Sequence, residues 1–91
     1  MEKEFYIIEA DYTDNKELFK TNPNLNCLFF VEFDYENKEV LYTKSVKHAW
    51  QFPNYESAYL TAIYLSHSAY KGKYYILNFN ENYNLISKSL I

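Results

Sequence analysis

Arginine is absent from this 91-residue chain, and Gly, Pro, Cys and Trp are scarce: one Gly, two Pro, one Cys and one Trp. Without Arg there is no bidentate fork for phosphate or carboxylate recognition. A single Gly excludes a glycine-rich phosphate loop. With only two Pro beside it, a collagen-like or Gly/Pro-rich disordered chain is excluded as well. Cys27 stands alone, which excludes an intramolecular disulfide framework and a Cys-based zinc site. It precedes the apolar run Leu28-Phe29-Phe30-Val31 and reads as a buried, unreactive thiol. The longest uncharged helix-compatible stretch, Ser57 to Tyr70, carries Ser, Thr and His and is too short to span a bilayer. The opening Met1-Glu2-Lys3-Glu4 is acidic and lacks the apolar centre of a signal peptide. A cytoplasmic protein is expected.

What the chain has in abundance is aromatic: 11 Tyr, 7 Phe and the Trp make 21% of its residues. A hydrophobic share of 48% with 23% charged residues describes one aromatic-cored domain over residues 1–91. The net charge of −3 is mild but unevenly placed. Ten of the twelve acids lie in residues 1–39, against four Lys, and the remainder of the chain is net basic. An acidic first half does not suit direct nucleic-acid binding, which needs clustered cations.

Glu4 to Tyr12 reads as a first strand on the strength of Phe5, Tyr6, Ile7 and Ile8. Asp14-Asn15-Lys16-Glu17 resembles a capping box, predicting a short helical turn over 15–20 that Thr21-Asn22-Pro23-Asn24 ends. From Cys27 to Val46 the alternation of Phe29, Val31, Phe33 and Tyr35 with their neighbours predicts a hairpin reversing at Glu36–Glu39. Asn54 is a suitable N-cap for a helix running to about Tyr70, with Glu56 in its first turn and Gly72 closing it. Tyr55, Ala58, Tyr59, Ala62 and Leu65 share one face of that helix. Lys73 to Asn80 is a further strand, and Leu85 to Ile91 is either a last strand or a docked tail. The fold class is therefore α+β: an antiparallel sheet of four or five strands with one main helix on one face, in the order β-β-β-α-β.

Three groups of residues are candidates for function. Glu32, Asp34 and Glu36 recur at alternate positions, as do Glu9 and Asp11. On adjacent strands the five would share one acidic surface. Such a row is either the wet face of a sheet or a contact patch for a partner with a basic groove. Clustered carboxylates also leave a small metal-dependent nuclease as a remote reading. The second group is Leu60, Ile63, Tyr64 and His67 on the outer side of the helix, where a one-sided helix would be polar. Either the 85–91 tail covers them or they form an exposed contact patch. The third is the segment Lys47 to Phe52, whose Trp50 is either a contact anchor or, as is commoner in a small domain, the seal of a core edge.

No nucleophile elbow and no Cys/His set at known spacing is present, so a non-enzymatic protein without cofactor or metal is expected. Partner contact through Glu9, Asp11, Glu32, Asp34, Glu36, Leu60 and Tyr64 is the leading expectation, with self-association as a homodimer or assembly module the alternative.

The stretch Ala49-Trp50-Gln51-Phe52-Pro53-Asn54-Tyr55-Glu56-Ser57-Ala58, followed by Gly72-Lys73-Tyr74-Tyr75-Ile76, resembles small phage or prophage α+β proteins of A/T-rich Gram-positive hosts. The abundance of Asn, Lys, Tyr, Ile and Phe, all with A/T-rich codons, points the same way. Anti-CRISPR proteins and other inhibitors of host defence belong to that company. The resemblance implies a stoichiometric binder acting inside a host cell. It covers about residues 47–79 and transfers no individual functional residue.

Overall fold

A strand that is apolar on both sides needs cover on both faces, and β1 (Glu4–Asp11) is such a strand. Its neighbours Ile7 and Ile8 point to opposite faces, and both are fully buried. The computed structural model describes residues 3–11, 27–67 and 73–91. The capping box at 14–17, the turn at 21–24, the Cys27 side chain and the Gly72 closure lie outside the described residues.

The remaining elements are β2 (Cys27–Asp34), β3 (Glu39–Thr43), a 3-10 turn (Val46–His48), α1 (Tyr55–Ser66), β4 (Tyr74–Asn80) and β5 (Leu85–Leu90). They form a five-stranded antiparallel sheet in the order β3-β2-β1-β4-β5 with one helix, an α+β fold. The 85–91 segment is thus an edge strand. Only its last residue, Ile91, reaches the helix-side core, and its N–H donates to the Tyr74 carbonyl at 2.9 Å.

Helix α1 starts where the cap permits. Asn54 is in extended conformation and its side-chain oxygen accepts from the Ser57 N–H at 2.8 Å, satisfying one of the free donors of the first turn. Ala58, Ala62 and Leu65 are fully buried against Ile8, Ala10 and Ile76. Two alanines on this face let the helix lie close to the sheet. On the opposite face Ile7, Phe29, Leu77 and Phe79 form a second core, covered by Ala49 and Val46 from the segment after β3. Tyr83 adds to this cover. Its ring meets Phe5 edge-on at 5.1 Å, and its hydroxyl accepts from Gln51 Nε2 at 2.8 Å.

The chain moves from the second core to the first by passing between β1 and β2. Ala49 is buried on one face, the Trp50 N–H donates to the Phe30 carbonyl at 3.0 Å, and Phe52 exchanges backbone bonds with Tyr6 at 2.8 and 2.9 Å. Phe52 then buries its ring in the helix-side core, stacked on Phe30. This insertion has a consequence for pairing. β1 pairs with β2 only at Glu9↔Phe29, Ala10↔Leu28 and Asp11↔Cys27, and beyond Phe29 the two strands separate.

β2 departs from strict alternation at the same place. Its register against β3 shifts between Phe30 and Glu32, leaving Val31 as a bulged residue. Phe30 and Phe33 both join the helix-side core although they are three residues apart, and Phe29 faces the other core. The expectation that Phe29, Val31, Phe33 and Tyr35 share one face is thereby corrected.

Candidate apolar groove

The separation of β2 from β1 opens a groove between β2 and α1. Two surface-open hollows of about 340 and 330 Å³ lie along it and share Phe33, Tyr35 and Thr61. Phe30, Val31, Glu32, Trp50 and Phe52 complete the first, Leu60 and Tyr64 the second. The walls are joined by ring contacts. Phe33 meets Tyr64 edge-on at 5.4 Å, lies 5.9 Å from Tyr35 and packs on Phe30 at 5.1 Å. Such T-shaped and tilted pairs fix ring positions as well as burying area.

These walls are wet. Tyr35 is 84% exposed, Tyr64 64%, Leu60 61% and Trp50 55%. Leu60 and Tyr64, both expected from the helix periodicity, therefore stand together on one wall. β5 sits at the far edge of the sheet and does not cover them, which excludes the docked-tail alternative for this stripe. Ile63 is half-buried, and His67 is the exposed C-cap of the helix.

Trp50 corrects a second expectation. Ala49 and Phe52 seal the core in its place. In an extended segment, residues two apart share a side. Trp50 thus lies on the same side as Phe52, but it sits where the groove is open and its ring lines the rim.

The five carboxylates are not brought together as one row. Glu9 is directed toward β5, where its Oε1 lies 2.8 Å from Lys88 Nζ and its side chain is only 12% exposed. The Lys88 ammonium also lies 4.4 Å from the Tyr75 ring centre. Asp11 Oδ2 accepts from the Tyr75 hydroxyl at 3.4 Å. Glu9 and Asp11 thus serve the β1–β4–β5 side of the sheet. Glu32, Asp34 and Glu36 lie on β2 and its turn, beyond the point where β2 has left β1.

Within that second group the roles differ. Asp34 caps the hairpin turn: its carboxylate accepts from the Asn37 side chain at 2.8 Å and from the Asn37 N–H at 3.2 Å. The Asn37 amide bonds, side chain foremost, hold the Asp34 carboxyl below its ordinary value of 3.8. The turn closes through Lys38, whose φ of 55° is left-handed. Glu32 lines the first hollow, and Glu36 and Glu39 are exposed at the same end of the hairpin. Among the described residues no group of three or more His, Cys, Asp or Glu could hold a metal ion. None of the described helices is long and apolar enough to cross a membrane.

Phe33, Tyr35 and Thr61 are not marked as site residues by the sequence, whereas Trp50 is, as a candidate contact anchor. Tyr35 at the end of an otherwise half-buried strand was the available signal. Joining it to Leu60 and Tyr64 needs the bulge at Val31, which no local pattern marks. Compared with known proteins, the chain matches no known family, no curated protein and no solved structure.

Proposed function

We propose that this chain belongs to the class of proteins that act by contact with another macromolecule and not by transforming a substrate. In particular, it is read as a phage-type inhibitor that occludes a basic surface of a host protein, such as a CRISPR–Cas or other nucleic-acid-handling defence enzyme. One observation carries the reading. Tyr35, Trp50, Leu60 and Tyr64 are exposed together along a single groove, and aromatic clusters of this kind are typical anchors of protein interfaces. The rim supports a cationic partner, since Glu32, Glu36 and Glu39 are exposed at one end. The A/T-coded composition supports the phage origin.

The test is capture of proteins from a host lysate by the full chain and by a Leu60→Lys/Tyr64→Lys variant of unchanged circular dichroism. Loss of a nucleic-acid-handling enzyme from the variant's capture, with salt-dependent release from the parent, is the expected result. An identical set of captured proteins overturns the reading. A second reading, a self-associating module, is favoured by edge strand β5, where Leu85, Ile86 and Leu90 are exposed. A stable dimer by light scattering, insensitive to Leu60→Lys, would support it.

A further inference from the structure

The first hollow is lined by Phe30, Val31, Glu32 and Phe33 in succession. Past the bulge Phe33 faces the helix-side core and its neighbour Glu32 the other side, so a hollow lined by both reaches the strand's edge and not only its face. Among the described residues nothing pairs with the β2 edge that faces away from β3 from Val31 to Asp34. β1 has already left, and the last backbone bond on that side is the Trp50 N–H donated to the Phe30 carbonyl. An open backbone edge is thus bounded by an aromatic wall on the helix side.

We propose that this slot receives an extended, Lys- or Arg-bearing apolar segment of a partner protein, which adds as a strand along β2. The inference rests on the contact reading above and names its mode. Main-chain bonds to β2 would supply affinity. Alternate apolar side chains enter the two hollows on either side of the Phe33–Tyr64 contact, one against Trp50 and Phe52 and the next against Tyr35 and Leu60. Charge selects the occupant. From 31 to 44 the carboxylates of Glu32, Asp34, Glu36 and Glu39 outnumber the ammonium groups of Lys38 and Lys44. A cationic side chain on the segment's outward face is therefore favoured and an acidic one repelled. A helix would satisfy its own backbone and leave the β2 edge unused.

The probes are short synthetic peptides alternating Phe or Val with Lys, the same peptides with Glu for Lys, and two N-methylated forms of the Lys peptide. One form blocks the amides on one edge of the extended peptide, the other those on the opposite edge. Trp50, the sole Trp, reports by fluorescence, and backbone amide shifts locate the site. The Lys peptide is expected to shift Trp50 emission and the amides of Val31 to Tyr35. One N-methylated form is expected to bind at least about tenfold more weakly while the other binds as the parent does. The Glu peptide and the Leu60→Lys protein also lose binding.

Equal binding of both N-methylated forms, shifts centred on β5, or no binding of any peptide overturns the proposal. If that happens while Leu60→Lys/Tyr64→Lys still abolishes capture from lysate, the contact reading stands and strand addition alone falls. If the peptides behave as expected and the variant's capture is unchanged, the slot stands and the inhibitor reading falls.

Discussion

The two sides of this sheet are built differently. On one side β1 pairs with β4 from Glu4↔Asn80 to Ala10↔Tyr74 without a break, and the Glu9–Lys88 ion pair spans on to β5. On the other side β1 holds β2 at its last residues only, and the Trp50–Phe52 segment wedges the strands apart. The regular β1–β4 pair is buried on two faces, and its irregularity is confined to the outer edge, where β5 shifts register against β4 between Asn78 and Phe79 and leaves Leu85, Ile86 and Leu90 exposed. The split side leaves aromatic rings and a strand edge in water. The split side still anchors the helix-side core through Phe30 and Phe52, while its exposed rim residues, Tyr35, Trp50, Leu60 and Tyr64, stand outside that core.

The severest way to break this comparison is to remove the wedge. Phe52→Ala deletes a buried ring stacked on Phe30 and is expected to cost about 3 kcal/mol in denaturant unfolding. Hydrogen exchange sharpens the test. Amides of β2 and β3 should lose protection before those of β1 and β4, and uniform loss across all four strands would show that the halves are not separate.

On the regular side, a double-mutant cycle of Glu9→Gln with Lys88→Met is expected to give a coupling of about 0.5–1 kcal/mol. Lys88 is half exposed, so screening holds the value low, and added salt should reduce it. The smallest effect lies at the tip of the split side. Because the Asp34 carboxyl is held below its ordinary value in the folded chain, its contribution is present above pH 3.8 and is lost as the pH falls through the depressed folded value. The Asn37 amide should therefore shift in acid while β4 amides do not, and Asp34→Ala should abolish that shift.

Local features of the fold were legible. The Asn54 cap, the alanine face of α1 and the β2–β3 hairpin each depend on residues within a few positions of one another, so spacing alone carries them. The candidate site is half legible: helix periodicity places Leu60 and Tyr64 on one outer stripe, while the 85–91 segment fits a strand or a tail equally because an edge strand has no obligatory pattern. Glu9 and Asp11 share a row with Glu32 if β1 and β2 are neighbours. They are neighbours, but they pair only from Glu9↔Phe29 to Asp11↔Cys27. The wedge prevents pairing beyond Phe29, and Glu9 turns to Lys88.

The amino-acid order alone determined that this is an aromatic-rich α+β domain whose main helix is capped by Asn54, because capping and periodicity are set by neighbours along the chain. Tertiary structure decided three further things: which strands lie side by side, where β2 bulges, and that Trp50 faces water while Ala49 and Phe52 seal the cores. Those outcomes follow from packing between residues tens of positions apart. Phe52 displaces β2 from β1 by pairing with Tyr6, and the groove exists only because that one pairing excludes another.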